Sequence, residues 1–467
     1  MTIPTFRTEN DSMGSMQVPT GALYGAQTAR AIDNFPVSHI PLPRAMIRAL
    51  GTIKQHAAQV NHDLGLLPAD IAKGIMEAAE EVISGALDEH FPVDVFQTGS
   101  GTSSNMNSNE VIANRAASIL GQAAGSKAVH PNDHVNLGQS SNDVFPSAIH
   151  LAAVMQLEDQ LLPGLVGLQQ TLGAKAVEFD AIVKLGRTHL QDAVPIRLGQ
   201  VFSGYTRQLE LSIKRIHQAG EGLLELPLGG TALGTGLNTH PEFSRRVCEG
   251  LAAVTGQPFV EAANHFEAQA ARDAAVNLSG ALKSCAVALF KIANDIRLLA
   301  SGPRGGYGEL NLPAVQPGSS IMPGKVNPVM AESLIQVCAQ VVGNDAAITL
   351  GGLAGNFELN VMLPLIAHNL LQSIDLLGNA ARLFNERCVT GLTANRERCE
   401  ELVEQSLAMV TALAPEIGYD RAADLAKKAY ESGKTIREIC LEQQVLPADV
   451  LERLLDPRPQ TEPGIPC

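Results

Sequence analysis

The stretch from Gly318 to Pro328 reads GSSIMPGKVNP and is followed by Glu332 inside an apolar run with helical spacing. It sets a Gly-Ser-Ser turn beside a cation (Lys325), an amide (Asn327) and a helix start at Pro328. Such a loop can offer a hydroxyl, a positive charge and free backbone N–H groups to one anion. Removing a proton next to a carboxylate calls for that equipment, because the charge driven into the substrate must meet fixed donors. The expectation is an enzyme acting on a small carboxylic acid.

Three further polar islands interrupt the chain. Gln97 to Asn107 has Ser100, Gly101 and Thr102 at its centre; Gly138 to Asp143 carries Ser140, Ser141 and Asn142; Gly186 to Asp192 carries Thr188 and His189. Taken singly, each has a plain reading, since Ser-Ser-Asn-Asp ahead of a helix is an N-cap and Gly/Ser runs are turns. Together with the 318–328 loop they supply hydroxyls, amides, one histidine and one lysine, with few acids. That mixture suits two carboxylates held by neutral donors and a cation. It does not suit a phosphate cradle: five residues rather than four separate Gly318 from Gly324, and Val326 stands where Ser or Thr is needed. The glycines of GGTALGTG over 229–236 miss the G-x-G-x-x-G spacing, so no dinucleotide fold is expected. His130 and His134 stand four apart, but Pro131-Asn132-Asp133 between them favours a turn over the helix that would align a zinc pair.

The elements that must position these islands are helices. The 467 residues are 45% hydrophobic and only 4% aromatic, without tryptophan, a profile suited to long packed helices and to two or three domains. A net charge of −14 leaves no basic stripe for a nucleic-acid partner. The cysteines (Cys248, Cys285, Cys338, Cys388, Cys399, Cys440, Cys467) form no C-x-x-C pair and read as small core residues in a reducing compartment. The start, MTIPTFRTEND, has the character of neither a signal peptide nor a transit helix, and no uninterrupted apolar span of membrane length is evident. The expectation is a cytoplasmic protein without a membrane partner.

Texture divides the chain into a mixed N-terminal part (1–140), a central long-helix part (141–390) and a small, charged C-terminal helical part (391–467) ending in a frayed, Pro-rich tail. Helical patterns begin near 45–64 and 69–86. In the central part, Leu157, Leu161, Leu165, Leu168 and Leu172 make one stripe, and Leu278, Leu282, Cys285, Leu289, Ile292, Ile296 and Leu299 a heptad-like seam. Met330, Leu334, Val337 and Val341 start a third, and Leu370, Ile374, Leu377, Ala381 and Phe384 form a fourth. Several of these helices are too apolar for a wet face within a monomer, which predicts burial between subunits.

In order and spacing the islands resemble the fumarase/aspartase superfamily, most closely class II fumarate hydratase. The match runs from RTENDSMG and VPTGALYGAQTARAIDNF through QTGSGTSSNMN, HPNDHVNLGQSSND, GRTHLQDAVP, LGGTALGTGLNT and GSSIMPGKVNP to the C-terminal GKTIREIC. The discriminating residue is His189, where aspartase-like relatives usually carry glutamine. The resemblance implies a mainly α, three-domain fold whose central helices assemble into a twenty-helix core of a homotetramer, each active site built by three subunits. It also implies the tricarboxylic acid cycle step: reversible trans hydration of fumarate to (S)-malate, without metal or organic cofactor.

By that resemblance Ser319 is the base, and His189 paired with Glu332 handles the water. Ser100, Gly101, Thr102, Ser140, Ser141, Asn142, Thr188, Ser320, Lys325, Val326 and Asn327 bind the substrate. The family also carries a second dicarboxylate site, here matched by Lys127, His130, Pro131, Asn132 and Asp133. Where relatives usually have an arginine this chain has Lys127, which keeps the charge but loses the bidentate fork, so weaker anion binding is expected there. Alternatives within the superfamily are an aspartate ammonia-lyase, a hydratase of a substituted fumarate such as mesaconate, and a non-catalytic protein related to the δ-crystallins.

Overall fold

The computed structural model describes residues 5–464 and is mostly helical, as the composition predicts. The chain opens with a hairpin, β1 (Phe6–Asp11) and β2 (Gly14–Pro19). Five helices follow: α1 (Ala26–Asn34), α2 (Arg44–Asp63), α3 (Ala69–Ser84), α4 (Thr102–Ile119) and α5 (Ser141–Gln156). After α6 (Leu162–Glu178) comes a second hairpin, β3 (Val183–Thr188) and β4 (Gln191–Arg197), then α7 (Leu198–Glu221), α8 (Phe243–Thr255) and α9 (His265–Ala270). The long helices are α10 (Asp273–Leu299), α11 (Val329–Gly352) and α12 (Leu363–Phe384). Short helices α13 (Arg396–Gln405), α14 (Ala414–Ile417), α15 (Tyr419–Ser432), α16 (Ile436–Glu442) and α17 (Ala448–Leu454) close the chain.

The four predicted stripes lie largely in the core. Leu161, Leu165, Leu168 and Leu172 are fully buried, as are Leu278, Leu282, Cys285, Leu289, Ile292 and Ile296, and Leu370 through Phe384 at stripe spacing. In α11 the register differs by one position. Ala331, Leu334, Cys338, Val341 and Ile348 are buried while Val337 is only half-buried, because the helix steps by three and then four along its inner face. The six described cysteines are all buried and none forms a disulfide among the described residues; Cys467 lies outside them.

Three expectations need correction. The segment 130–134 is not an open turn: Pro131–Val135 form one π-helical turn, with the N–H groups of Asn132 and Asp133 donating to His130 Nδ1. Proline suits the first position of a helical turn, where its missing N–H costs nothing. The tail is not frayed as far as Gly464. Gln200 Nε2 donates to the Thr461 carbonyl at 2.9 Å, and Arg197 pairs with Glu462 at 2.7 Å. Finally, α10 and α11 are by length and hydropathy alone apolar enough to cross a membrane, although a buried core helix of a soluble protein passes the same test.

The chain separates into two compact units made of alternating stretches. One holds residues 1–163, 214–286 and 338–378; the other holds 164–213, 287–337 and 379–467. In the first, α2 packs on α3, α5 and α8, and α4 packs on α1, α3 and α5. In the second, a cluster of Leu185, Val403, Leu413, Leu425, Ile436, Cys440 and Leu451 joins the β3–β4 hairpin to the C-terminal helices.

Candidate active site

In the first unit, two helices begin at a shared hydroxyl cluster. Ser100 Oγ and Thr102 Oγ1 are 2.7 Å apart, and Thr102 Oγ1 is 2.7 Å from Ser141 Oγ. Thr102 is the first residue of α4 and Ser141 the first of α5. The positive dipole ends of both helices therefore meet at this cluster, which is suited to a carboxylate. The approach is made possible by Gly101. It adopts a left-handed conformation (φ 73°), and a Cβ there would come within 2.2 Å of the Phe145 ring on α5.

Ser140 caps α5, accepting the Asn142 N–H at 3.2 Å, and Asp143 completes a capping box by accepting the Ser140 N–H at 2.9 Å. The other Asp143 oxygen takes the N–H groups of Gly229 and Thr231 at 3.0 and 2.9 Å. Asn142 Nδ2 donates to the Ala232 carbonyl at 2.9 Å, so the GGTA segment is bolted to the donor array. Burial pushes Asp143 up to about 6 against the pull of these N–H groups and of Lys54.

Beneath lies a polar network that sequence reasoning missed. The wholly buried Lys54 donates to Asn136 Oδ1 and Gln139 Oε1, both at 2.9 Å, and the same Asn136 oxygen accepts from Asn105 and Asn109 at 3.2 and 3.1 Å. Burial pulls Lys54 down to about 7, opposed by Asp143. A signal was available: Lys54 falls on the same face of α2 as the buried Leu50, Ala57 and Ala58, where a charge is out of place unless paired.

The residues matched to a second dicarboxylate site also lie in this unit. Lys127, His130, Pro131 and Asn132 line a cavity of about 290 Å³ together with Asn10 and Asn114. Three acids share its wall. Asp11 is held bidentately by Arg30, Glu9 pairs with Arg7, and Glu110 accepts the N–H groups of Gly25, Gln27 and Thr28. Asp133 stands outside this lining, exposed, with its carboxylate 3.3 Å from His130 Nδ1.

The second unit carries the remaining candidates. The 318–328 loop is closed at its base by the Gly318 N–H donating to the Lys325 carbonyl at 2.8 Å and by Asn327 Nδ2 donating to the Gly318 carbonyl at 2.6 Å. Ser319 Oγ accepts the N–H groups of Ile321 and Met322 at 3.2 and 3.0 Å, which are donors that favour a negative oxygen. Ser320, Lys325 and Val326 are exposed. Helix α11 begins just beyond, and the Glu332 N–H donates to the Pro328 carbonyl, placing Glu332 in the first turn.

Thr188 and His189 sit at the exposed tip of the β3–β4 hairpin, whose register pairs Thr188 with Gln191 around the two-residue turn His189-Leu190. Below the tip, Arg187 and Lys184 meet the wholly buried Glu309, another residue the sequence reading did not select and for which it offered no signal. Among the described residues no hydrogen bond joins His189 to Glu332 within one chain.

Comparison with known proteins places these motifs in context. A family model described as Lyase matches residues 14–343, and a model of the fumarase C C-terminus matches residues 409–461. A fumarate hydratase class II from Nitrosomonas europaea is 54% identical over 98% of this chain and 99% of its own length. One of the same description from Halobacterium salinarum is 56% identical, over 98% of each chain. The crystal structure of a class II fumarase from Schistosoma mansoni superposes with a TM-score of 0.94 at 42% identity, covering 98% of this chain and 99% of that one.

Proposed function

The chain belongs to the class II fumarate hydratase family, and we propose that it catalyses the reversible trans addition of water to fumarate, giving (S)-malate. The observation that carries this reading is the hydroxyl relay of Ser100, Thr102 and Ser141 at two helix N-termini, a ready seat for one carboxylate. In the dehydration direction Ser319 removes the proton from C3. The electrons pass into the adjacent carboxylate, and Lys325, Asn327 and loop N–H groups meet the resulting charge. The C2 hydroxyl leaves as water with a proton supplied through His189, whose ring Glu332 orients and supports in its charged form. Ser140, Ser141, Asn142 and Thr188 hold the substrate carboxylates, with Gly101, Ser320 and Val326 shaping the seat. No metal or organic cofactor has a step in this scheme.

The same reading assigns three domains (1–140, 141–390 and 391–467) and a homotetramer with a twenty-helix core, each active site drawing segments from three subunits. Exposed apolar side chains on the long helices support it: Val287, Phe290, Val342 and Leu350 are 61%, 40%, 44% and 65% exposed in the single chain. The pairing of His189 with Glu332 then forms between chains. Lys127, His130, Pro131, Asn132 and Asp133 form a second, weaker dicarboxylate site. A cytoplasmic place in the tricarboxylic acid cycle completes the proposal, with neither membrane nor nucleic acid as partner.

The test is absorbance at the fumarate band after adding purified protein to (S)-malate, to aspartate and to a methyl-substituted malate, with and without EDTA. Fumarate from malate alone, insensitive to chelator, is expected. Production from aspartate would assign an ammonia-lyase and remove His189 as the mark of specificity. Turnover of the methylated acid alone would assign a mesaconate hydratase, and silence with all three a non-catalytic role.

A further inference from the structure

The hairpin that carries Thr188 and His189 closes on two residues of positive φ, His189 at 54° and Leu190 at 59°. A two-residue turn of this kind ordinarily holds Asn-Gly or Asp-Gly, because glycine and short polar residues enter the left-handed region at little cost. Histidine is among the tolerated residues, whereas a bulky leucine there is an outlier. Leu190 is 67% exposed, so burial of its side chain does little to offset the strain. Such a turn persists only where its surroundings over-determine it.

The strand leading into the turn is over-determined in an unusual way. Lys184 and Arg187 are three residues apart, and in a regular strand they would point to opposite faces. Here both reach one carboxylate: Glu309 Oε2 lies 2.9 Å from Arg187 Nη1 and 3.5 Å from Lys184 Nζ. Between Leu185 and Arg187 the register shifts, so that Ala193 and Val194 of β4 together oppose Gly186 of β3, where a Cβ would come within 2.4 Å of the Val194 carbonyl oxygen. Glu309 is fully buried and fixed by its own backbone, its N–H donating to the Leu299 carbonyl at 2.8 Å and its carbonyl accepting the Asn395 N–H at 2.9 Å. The Arg187 guanidinium also lies 4.2 Å above the centre of the Tyr307 ring.

We propose that Glu309 is a positioning residue: through Arg187 it holds β3 against the β4 bulge, in the register that closes on the His189–Leu190 turn, and so presents the imidazole. The role rests on the reading of His189 as the group that handles the water. Glu309 touches neither substrate nor reacting atoms. Its effect is transmitted by two residues of strand, and it works by excluding the relaxed hairpin that leucine at 190 would otherwise favour.

The test is a rescue. Glu309→Gln keeps the shape and removes the ion pair, and is expected to lower kcat/KM about 30-fold. Leu190→Gly alone stays within about threefold of the parent, because glycine adopts the left-handed conformation freely. The double variant recovers to within about fivefold of the parent, since its turn no longer needs the lock. A merely structural role for Glu309 predicts no such rescue, and a double variant as slow as Glu309→Gln would overturn the proposal, as would full activity in Glu309→Gln itself. If Glu309→Gln does not fold, Arg187→Lys, which keeps the charge but loses the planar fork, takes its place in the same cycle. His189→Asn separates the two levels. Full activity there overturns the reading of His189, whereas an inert His189→Asn beside an unrescued double variant overturns only the positioning role.

Discussion

Thr102 and Ser319 are both hydroxyls assigned to one small dicarboxylate, yet the chain holds them in different ways. Thr102 stands between two other hydroxyls at the start of a helix, over a core of Phe145, Asp143 and Lys54 in which the Asp143 oxygens and the Lys54 amine each find partners. Ser319 lies on a loop closed at its base and folded on itself by the Ile321 and Met322 N–H groups, with Ile321 83% and Met322 48% exposed. The first region is finished before any ligand arrives. The second exposes the apolar side chains of Ile321 and Met322 and the charge of Lys325. Binding donors gain from being immobile, because their orientation is then not lost on each encounter. A hydroxyl proposed as a base gains from a segment that can move to let product out.

The largest expected effect tests that division through kinetics. Ser319→Ala is expected to lower kcat by about 10³ while KM stays within a few-fold, since the loop adds chemistry rather than affinity. Thr102→Val should do the reverse, raising KM about tenfold with a smaller loss in kcat, because the valine breaks the relay without touching the base. Steady-state kinetics on (S)-malate read both. If Ser319→Ala raised KM and left kcat intact, the loop would be a binding element and the contrast between the regions would collapse.

An effect of intermediate size should appear in both stability and affinity at Asp143. Its carboxylate satisfies three backbone N–H groups, at Ser140, Gly229 and Thr231. Asp143→Asn keeps one acceptor oxygen but turns the other into a donor facing N–H groups, which costs about 2 kcal/mol or more in a buried site. Thermal unfolding should fall by several degrees and KM should rise, as Ser140 and Asn142 lose their fixed orientation. A fall in kcat without change in KM would mean that the cap serves the reaction step instead of the seat.

What the sequence disclosed follows the same contrast. Residues that face solvent or substrate were legible as types: the Gly-Ser-Ser turn, the Ser-Ser-Asn-Asp cap and His189 advertise hydrogen-bonding chemistry that no core position needs. The long helices were legible because burial imposes the period, and Leu278 to Ile296 are fully buried at the expected spacing. The supports were not. Asn136 and Gln139 read as ordinary loop residues, yet they are the partners of a lysine 82 and 85 residues away. Glu309 meets Arg187 across 122 residues, a pairing that no local pattern encodes. The one-position shift in α11, where Cys338 rather than Val337 faces inward, also lay below the resolution of spacing arguments, because both residues are apolar.

The smallest effect concerns the charge beneath the donor array. Lys54 has a folded value of about 7 against an ordinary 10.5, because burial disfavours its charge more than Asp143 favours it. Between those values the unfolded chain holds a proton that the folded chain has released, so this contribution to stability rises with pH across the window. Asp143 behaves oppositely, since its value of about 6 against 3.8 means that the folded chain keeps the proton longer, and its contribution falls as pH rises through that range. The two are least favourable together between about 6 and 7, where both charges are buried. Lys54→Met removes the alkaline limb and, by withdrawing the cation that opposes burial, raises Asp143 further. Subtracting its melting temperature from the parent's at each pH cancels the titrating groups that Lys54 does not touch, and the difference should grow by a few degrees from pH 7 to pH 9.5, a window above the Asp143 value. A flat difference would mean that the amine keeps its proton throughout, held by the Asn136 and Gln139 oxygens. The floor of the rigid region would then be a permanent cation, adding to the attraction for substrate carboxylates that is proposed for Lys325 in the loop.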